Sequence, residues 1–332
     1  MVKDKLGIAL VGLGSYSEEE LAPALTKTSN CTLTGIVTGN KEKSEKWKKK
    51  YDLPDGNIYN YQNFDEIKKN PDIDIVYVVL PNAMHGDFVI RAAEAGKHVI
   101  TEKPMDVSVE QCEKMIAACK KAGVKLSVGY RLHFDTYNKE VMKWSQQEKY
   151  GKVKNIIAEH GMNVPDNVWR IDKKLSGGGP LMDMGIYCVQ GAIYSAVEDP
   201  IAVIAKEGKK GNKEKFKDVE ESLEWTMEFR SGAVAACKSS YSQKQNILRV
   251  EYEKGLIELE PAFAYRGINA TSSEGEIKFD EVSQQAIQMD DFALCIKENK
   301  ETKVTGEMGL RDVKIMKAIY ESMKSGERVV IK

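Results

Sequence analysis

An apolar run, Leu6 to Val11, passes directly into Gly12-Leu13-Gly14 and then into a helical pattern that includes Leu21 and Leu25. A continuous apolar strand is one covered on both faces, and glycines at its end allow a tight turn into a helix. The theme recurs. Apolar runs at Leu33 to Thr38, Ile73 to Leu80, His98 to Thr101 and Lys125 to Val128 alternate with helical patterns at Lys41 to Tyr51, Met84 to Ala95 and Val109 to Ala122. Gly96 and Gly123 follow the last two as helix-ending residues. Strands alternating with helices predict βαβ units around a parallel sheet, a doubly wound half.

Beyond residue 130 the period changes. Leu223, Trp225, Met227 and Phe229 alternate with Ser222, Glu224, Thr226 and Glu228, which predicts an antiparallel strand with one buried face. Arg249 to Glu253 and Leu256 to Glu260 alternate likewise, with Lys254-Gly255 between them as a hairpin turn. Helical patterns at Gln284 to Glu298 and Glu307 to Met323 and a short strand-like run, Arg328 to Ile331, close the chain. The charge-dense run Lys206 to Lys217 reads as a solvated loop or hairpin tip. At roughly 150 residues per domain, the length suits two. The expected fold is α/β. A Rossmann dinucleotide-binding domain occupies 1–130, and an α+β substrate-binding and oligomerisation domain on a large, mostly antiparallel open sheet occupies 131–332. A C-terminal helix has the option of returning to the first domain.

Composition removes alternatives. With 49 basic against 50 acidic side chains, no overall field draws nucleic acid or a membrane surface. Six scattered cysteines form no C-x-x-C pair, so no metal or redox dithiol is signalled, and they read as reduced core thiols of a cytoplasmic protein. Neither a signal peptide nor a membrane span is expected.

Gly12 and Gly14 suit close approach of a pyrophosphate to N–H groups at the following helix start, where Ser15 and Tyr16 stand; Ser17 replaces the usual third glycine. Tyr16 either covers the pyrophosphate or caps the helix. After the second strand an acidic residue would bind the ribose hydroxyls of NAD, but this chain has Thr38-Gly39-Asn40-Lys41-Glu42-Lys43. Without a carboxylate to repel a 2′-phosphate, and with Thr38, Lys41 and Lys43 able to meet one, NADP is favoured, NAD remaining possible. The bland alternative leaves these lysines solvated. Two further turns, Leu80-Pro81-Asn82-Ala83-Met84-His85 and Glu102-Lys103-Pro104, fall at the same carboxyl edge of the sheet, where ligands bind.

Far downstream, Asp183-Met184-Gly185-Ile186-Tyr187 would place Asp183 and Tyr187 one turn apart on one helix face. Lysine, tyrosine and aspartate together suit proton transfer at a sugar-like hydroxyl. Free tyrosine and lysine titrate near roughly 10 and 10.4, so a neighbouring ammonium is needed to bring a tyrosine toward neutrality. Asp183 either orients a substrate hydroxyl or merely serves the helix N-terminus.

These segments resemble the glucose–fructose oxidoreductase-like branch of the Gfo/Idh/MocA oxidoreductases. The likeness covers nearly the whole chain, including Val11-Gly12-Leu13-Gly14, Leu80-Pro81-Asn82, Glu102-Lys103-Pro104-Met105, Gly129 to Asp135, Trp169-Arg170 and, most specifically, Gly177 to Tyr187. By that resemblance Lys103 would touch both the nicotinamide region and the substrate hydroxyl, and Tyr187 would be the general acid or base. Arg131 and His133 would line the cleft, and Trp169-Arg170 would meet the nicotinamide and phosphate side of the cofactor. Lys103, Asp183 and Tyr187 would converge beside one cofactor ring. The implied activity is NADP-dependent hydride transfer on a cyclic aldose or related polyol. Alternatives are a coupled sugar dismutase, a nucleotide-sugar ketoreductase and a non-catalytic NADP-sensing regulator. The founding enzyme of the branch holds its cofactor with an N-terminal arm; here the first strand starts close to Met1, so an exchanging cofactor is expected. Pairing through the sheet into homodimers or homotetramers is also implied.

Overall fold

The computed structural model describes residues 3–331. It divides into two compact units: the chain up to Phe134 together with Ser283–Leu310, and Asp135–Val282 together with the chain from Arg311 onward.

The first unit is built on six parallel strands: β1 (Leu6–Val11), β2 (Cys31–Val37), β3 (Ile58–Tyr59), β4 (Ile75–Val78), β5 (His98–Thr101) and β6 (Leu126–Val128). Their order is β3-β2-β1-β4-β5-β6. Because β1 leads outward to β2 on one side and neighbours β4 on the other, the crevice at its carboxyl end is the topological switch point. Every residue of β1 is buried, as its unbroken apolar run requires. The flanking helices carry local stop and start signals. Asn40 accepts the Lys43 N–H at the start of the helix Lys41–Tyr51, and Ser108 accepts the Gln111 N–H at the start of Val109–Ala122, which Gly123 closes at φ +68°. The helix Gln284–Lys297 contributes Ala286, Met289, Phe292 and Ala293 to the same apolar cluster as Leu21, Leu25, Cys31 and Trp47.

The second unit carries a nine-stranded sheet made of β7 (Val153–Gly161), β8 (Pro200–Glu207), β9 (Ser222–Phe229), β10 (Val234–Ser240), β11 (Gln245–Tyr252), β12 (Leu256–Leu259), β13 (Ala270–Ser272), β14 (Gly275–Ile277) and β15 (Val329–Val330). Its order is β14-β13-β12-β11-β7-β10-β9-β8-β15. Only β7 and β10 pair in parallel; the other neighbours are antiparallel. The alternation in β9 sends Leu223, Trp225, Met227 and Phe229 into the core. A continuous helical stretch, π-wound over Leu181–Gly185 and α-helical over Ile186–Ala196, packs on that inner face against β7 and β10.

The run Lys206 to Lys217 leaves β8 and lies in the connection of the β8–β9 hairpin, as the hairpin-tip reading has it, but part of it is anchored and not merely solvated. Phe216 is buried with Val164, Val219 and Tyr241, and Lys215 donates to the Val164 carbonyl at 2.6 Å and pairs with Asp166. One aromatic among the lysines is enough to anchor the segment, because its burial removes a large apolar area from water.

No helix among the described residues is long and apolar enough to cross a membrane. Nor do the described residues contain a cluster of three or more His, Cys, Asp or Glu suited to a metal. All six cysteines are free and buried; burial pushes the thiols of Cys31, Cys112 and Cys119 up to about 12.

Candidate active site

At the switch point, Gly12 leaves β1 with φ +96°, and a Cβ there would stand 2.3 Å from the Val79 carbonyl oxygen. Only glycine lets the turn lie this close to the neighbouring strand. Gly14 differs: the space its Cβ would take has no protein atom within 4 Å, so the backbone there is open to a ligand. Ser17, in the place of the third glycine, is fully buried and donates its hydroxyl to the Gly12 carbonyl at 2.6 Å. A small side chain thus keeps the helix tight on the strand and satisfies a turn carbonyl. Ser15 is exposed at the helix start, and Tyr16 packs partly against the apolar cluster.

Lys43 reaches back from the second helix and donates to the Leu13 carbonyl at 3.1 Å, placing an ammonium beside the glycine turn. Thr38, at the end of β2, is buried and its hydroxyl accepts the Asn40 N–H at 3.2 Å. This set, open backbone at Gly14 and a lysine with a hydroxyl where a ribose carboxylate would stand, fits a dinucleotide bearing a 2′-phosphate.

The two remaining turns of this edge are tied to each other. His85 is completely buried, with Nδ1 2.9 Å from the Pro104 carbonyl and Nε2 2.8 Å from the Leu80 carbonyl. Burial pushes its imidazole below the ordinary range despite those carbonyls. It therefore joins the Leu80-Pro81-Asn82 turn to the turn after Lys103, which contains a cis Lys103–Pro104 bond. Asn82 and Leu80 are buried and Lys103 is half-buried. Glu102 turns inward: Tyr77 donates its hydroxyl to Oε1 at 2.7 Å, the Lys103 N–H reaches Oε2 at 3.2 Å, and burial pushes the carboxyl up. Arg131 is buried and donates to Gln284, and His133 is half-buried near the Tyr130 ring.

In the second unit Asp183 lies inside the π-wound turn. Arg170 donates through Nε to its Oδ2 at 2.8 Å, and Tyr241 donates its hydroxyl to the same oxygen at 3.2 Å. The charge of Asp183 holds the Arg170 guanidinium above its ordinary value, while burial pushes the Tyr241 phenol up. Asp183 is thus an anchored acceptor that also stands in the first turn of the helical stretch. Arg170, expected on the cofactor's phosphate side, also lies over the Trp169 ring at 4.8 Å. Tyr187 follows one turn later, buried, with its ring stacked on Phe263 at 6.0 Å and edge-on to His160 at 5.4 Å. Tyr241, His160 and Phe263 carried no local sequence signal: each is a lone residue at a strand end or in a loop, brought here only by sheet pairing.

The strand order and the glycine turn define a Rossmann-type oxidoreductase, joined in one chain to an α+β unit. Residues 6–130 match the model of an oxidoreductase family with an NAD-binding Rossmann fold, and residues 138–258 match the Gfo/Idh/MocA C-terminal domain. The chain belongs to the Gfo/Idh/MocA oxidoreductases. It is 29% identical to a D-xylose 1-dehydrogenase [NADP(+)] of Haloarcula marismortui, covering 97% of this chain and 92% of that one. The crystal structure of an aldose–aldose oxidoreductase from Caulobacter crescentus, complexed with glycerol, superposes with a TM-score of 0.96 at 39% identity, covering 98% of this chain and 100% of that one. A levoglucosan dehydrogenase complexed with NADH and levoglucosan shares the fold, with a TM-score of 0.83 at 19% identity over 98% of this chain and 99% of that one.

Proposed function

We propose that this chain is an NADP-dependent oxidoreductase transferring hydride between nicotinamide and a ring carbon of a cyclic aldose or related polyol. The observation that carries the reading is Asp183, a carboxylate fixed by Arg170 and Tyr241 one turn before Tyr187. A fixed anionic acceptor beside a phenol is what a polyhydroxylated substrate needs: one group orients a hydroxyl, the other moves a proton. The likeness to the xylose dehydrogenase and the aldose–aldose oxidoreductase supports the same substrate class.

A nicotinamide bound at this edge would supply or accept the hydride. Gly12, Gly14, Ser15 and Tyr16 would receive the pyrophosphate, Thr38 and Lys43 the 2′-phosphate, and Leu80, Asn82 and Glu102 would shape the edge, with His85 holding two of its turns together. In the oxidative direction Tyr187 takes the hydroxyl proton as hydride leaves the same carbon, giving a lactone or ketone. By the resemblance Lys103 would hydrogen-bond the reacting oxygen, and Asp183 would accept a hydrogen bond from a neighbouring hydroxyl. By the same resemblance Arg131 would line the cleft, and Trp169 and Arg170 would meet the nicotinamide and phosphate side of the cofactor. Incubating the protein with NADP and a panel of aldoses, sugar alcohols and inositols tests this: reduction of NADP by at least one aldose supports the reading, and no turnover with any member contradicts it.

A second reading is a coupled aldose–aldose oxidoreductase that keeps its cofactor through both half-reactions; the 39% identity over 98% of the chain favours it. Stoichiometric nucleotide in the purified protein would select it. Self-association is proposed for the outer face of the nine-stranded sheet, where Ile204 and Val234 are 45% and 38% exposed.

A further inference from the structure

The helical stretch bearing Asp183 and Tyr187 starts at Gly177-Gly178-Gly179, and a carboxylate from a distant part of the same unit stands against that start. Glu220 accepts the Gly179 N–H through Oε2 at 2.9 Å and the Leu181 N–H through Oε1 at 3.2 Å. Tyr320, on the helix Gly306–Ser325, donates its hydroxyl to Oε1 at 2.8 Å. Glu220 is only 5% exposed.

The glycines answer to this pair. A Cβ at Gly178 would lie 1.9 Å from the Tyr320 hydroxyl oxygen, and one at Gly179 would lie 2.3 Å from the Glu220 carbonyl oxygen and 2.9 Å from its carboxyl carbon. A helix normally satisfies its first N–H groups with a side chain at the N-cap, but Pro180 there has none to offer. Glu220 takes over, and its negative charge suits the positive end of the helix dipole. The first residue of the π-wound turn, Leu181, is one of the two it holds. Such turns are rare and are frequent at functional sites. Glu220 and Tyr320 also line a cavity of about 610 Å³, whose charged lining is Lys173, Lys210, Lys317 and Lys324 against Glu207, Asp218, Glu321 and Glu220 itself.

We propose that Glu220, steadied by Tyr320, is a positioning residue of the candidate active site: it clamps the start of this helical stretch and so aims Asp183 and Tyr187. The proposal rests on the reading that Tyr187 moves the substrate proton. Gln in place of Glu220 presents one acceptor and one donor to three converging donors, so one contact becomes donor against donor.

The test compares Glu220→Gln, Glu220→Asp, Tyr320→Phe and Tyr187→Phe for aldose kcat and KM, NADP affinity and Tm. Glu220→Gln is expected to lower kcat by up to roughly 10²-fold with NADP affinity unchanged, as a small misplacement of reacting groups does. Glu220→Asp, which keeps the charge, recovers part of the loss. Wild-type kcat in Glu220→Gln alongside an inactive Tyr187→Phe overturns the positioning role and leaves the proposed chemistry standing. Full activity in Tyr187→Phe overturns that chemistry instead. Should Glu220→Gln not fold, Tyr320→Phe decides, since it keeps both backbone bonds: a reduced kcat at wild-type Tm supports the role, and an unchanged kcat overturns it.

Discussion

Gly12 and Lys43 illustrate two different ways in which one side chain, or its absence, limits a site. At Gly12 the limit is steric, with a left-handed φ and a carbonyl 2.3 Å from any Cβ. Gly12→Ala should cost at least about 1–3 kcal/mol from backbone strain alone, read as a lowered Tm and weakened nucleotide binding. At Lys43 the limit is electrostatic. Removing a charge-assisted bond to a phosphate costs about 1.5–3 kcal/mol, so Lys43→Ala should raise the KM for NADP roughly tenfold or more while leaving that for NAD nearly unchanged. Equal effects on both would remove Lys43 from 2′-phosphate recognition. The types and positions of Gly12, Thr38 and Lys43 were legible in the chain because strand, turn and helix start lie within a few residues of one another. The partners of Asp183 were not. Arg170 was visible as a motif but not as an ion pair, and Tyr241 reaches Asp183 through β10, far along the chain.

Elements were legible where hydrophobic period was long and uninterrupted. The strands of the parallel sheet stand out because both faces are buried, and two of their helices because Gly96 and Gly123 mark their ends. β3, with two residues, is too short to show a period, and β10 hides its strand behind small residues, Ala235, Ala236 and Cys237. The π winding at Leu181–Gly185 is invisible in a residue pattern, since four residues span close to one turn in either winding. The loop tie at His85 carries a pH signature. Its imidazole is held below the ordinary value by burial, so the unfolded chain takes up the proton first as pH falls. Stability linked to neutral His85 is therefore complete above roughly pH 6.5 and declines as pH drops through the lower folded value. A His85→Asn variant should show a shallower fall of Tm with acidification than the wild type. Parallel Tm–pH curves would contradict this account of the tie.

On the scale of the whole molecule, the chain pairs a sheet with both faces buried and a sheet with one face against its own helix. The outer face of the second sheet carries Ile204 and Val234 among charged neighbours such as Glu224 and Lys238. The parallel sheet of the first unit and the mostly antiparallel sheet of the second were both readable from the switch between period-free and period-two apolar runs; the order of their strands was not. The parallel β7–β10 pair was not, because pairing partners are a property of three dimensions and not of either strand. The central claim is that Tyr187 moves the proton during NADP-dependent oxidation of an aldose. Its most direct test is the rate of NADPH appearance in wild type and Tyr187→Phe with an aldose from the substrate panel, beside an NADP binding titration of each. The account predicts a loss of about 10²–10⁴-fold in kcat with NADP affinity nearly intact. A variant that turns over at the wild-type rate would contradict it.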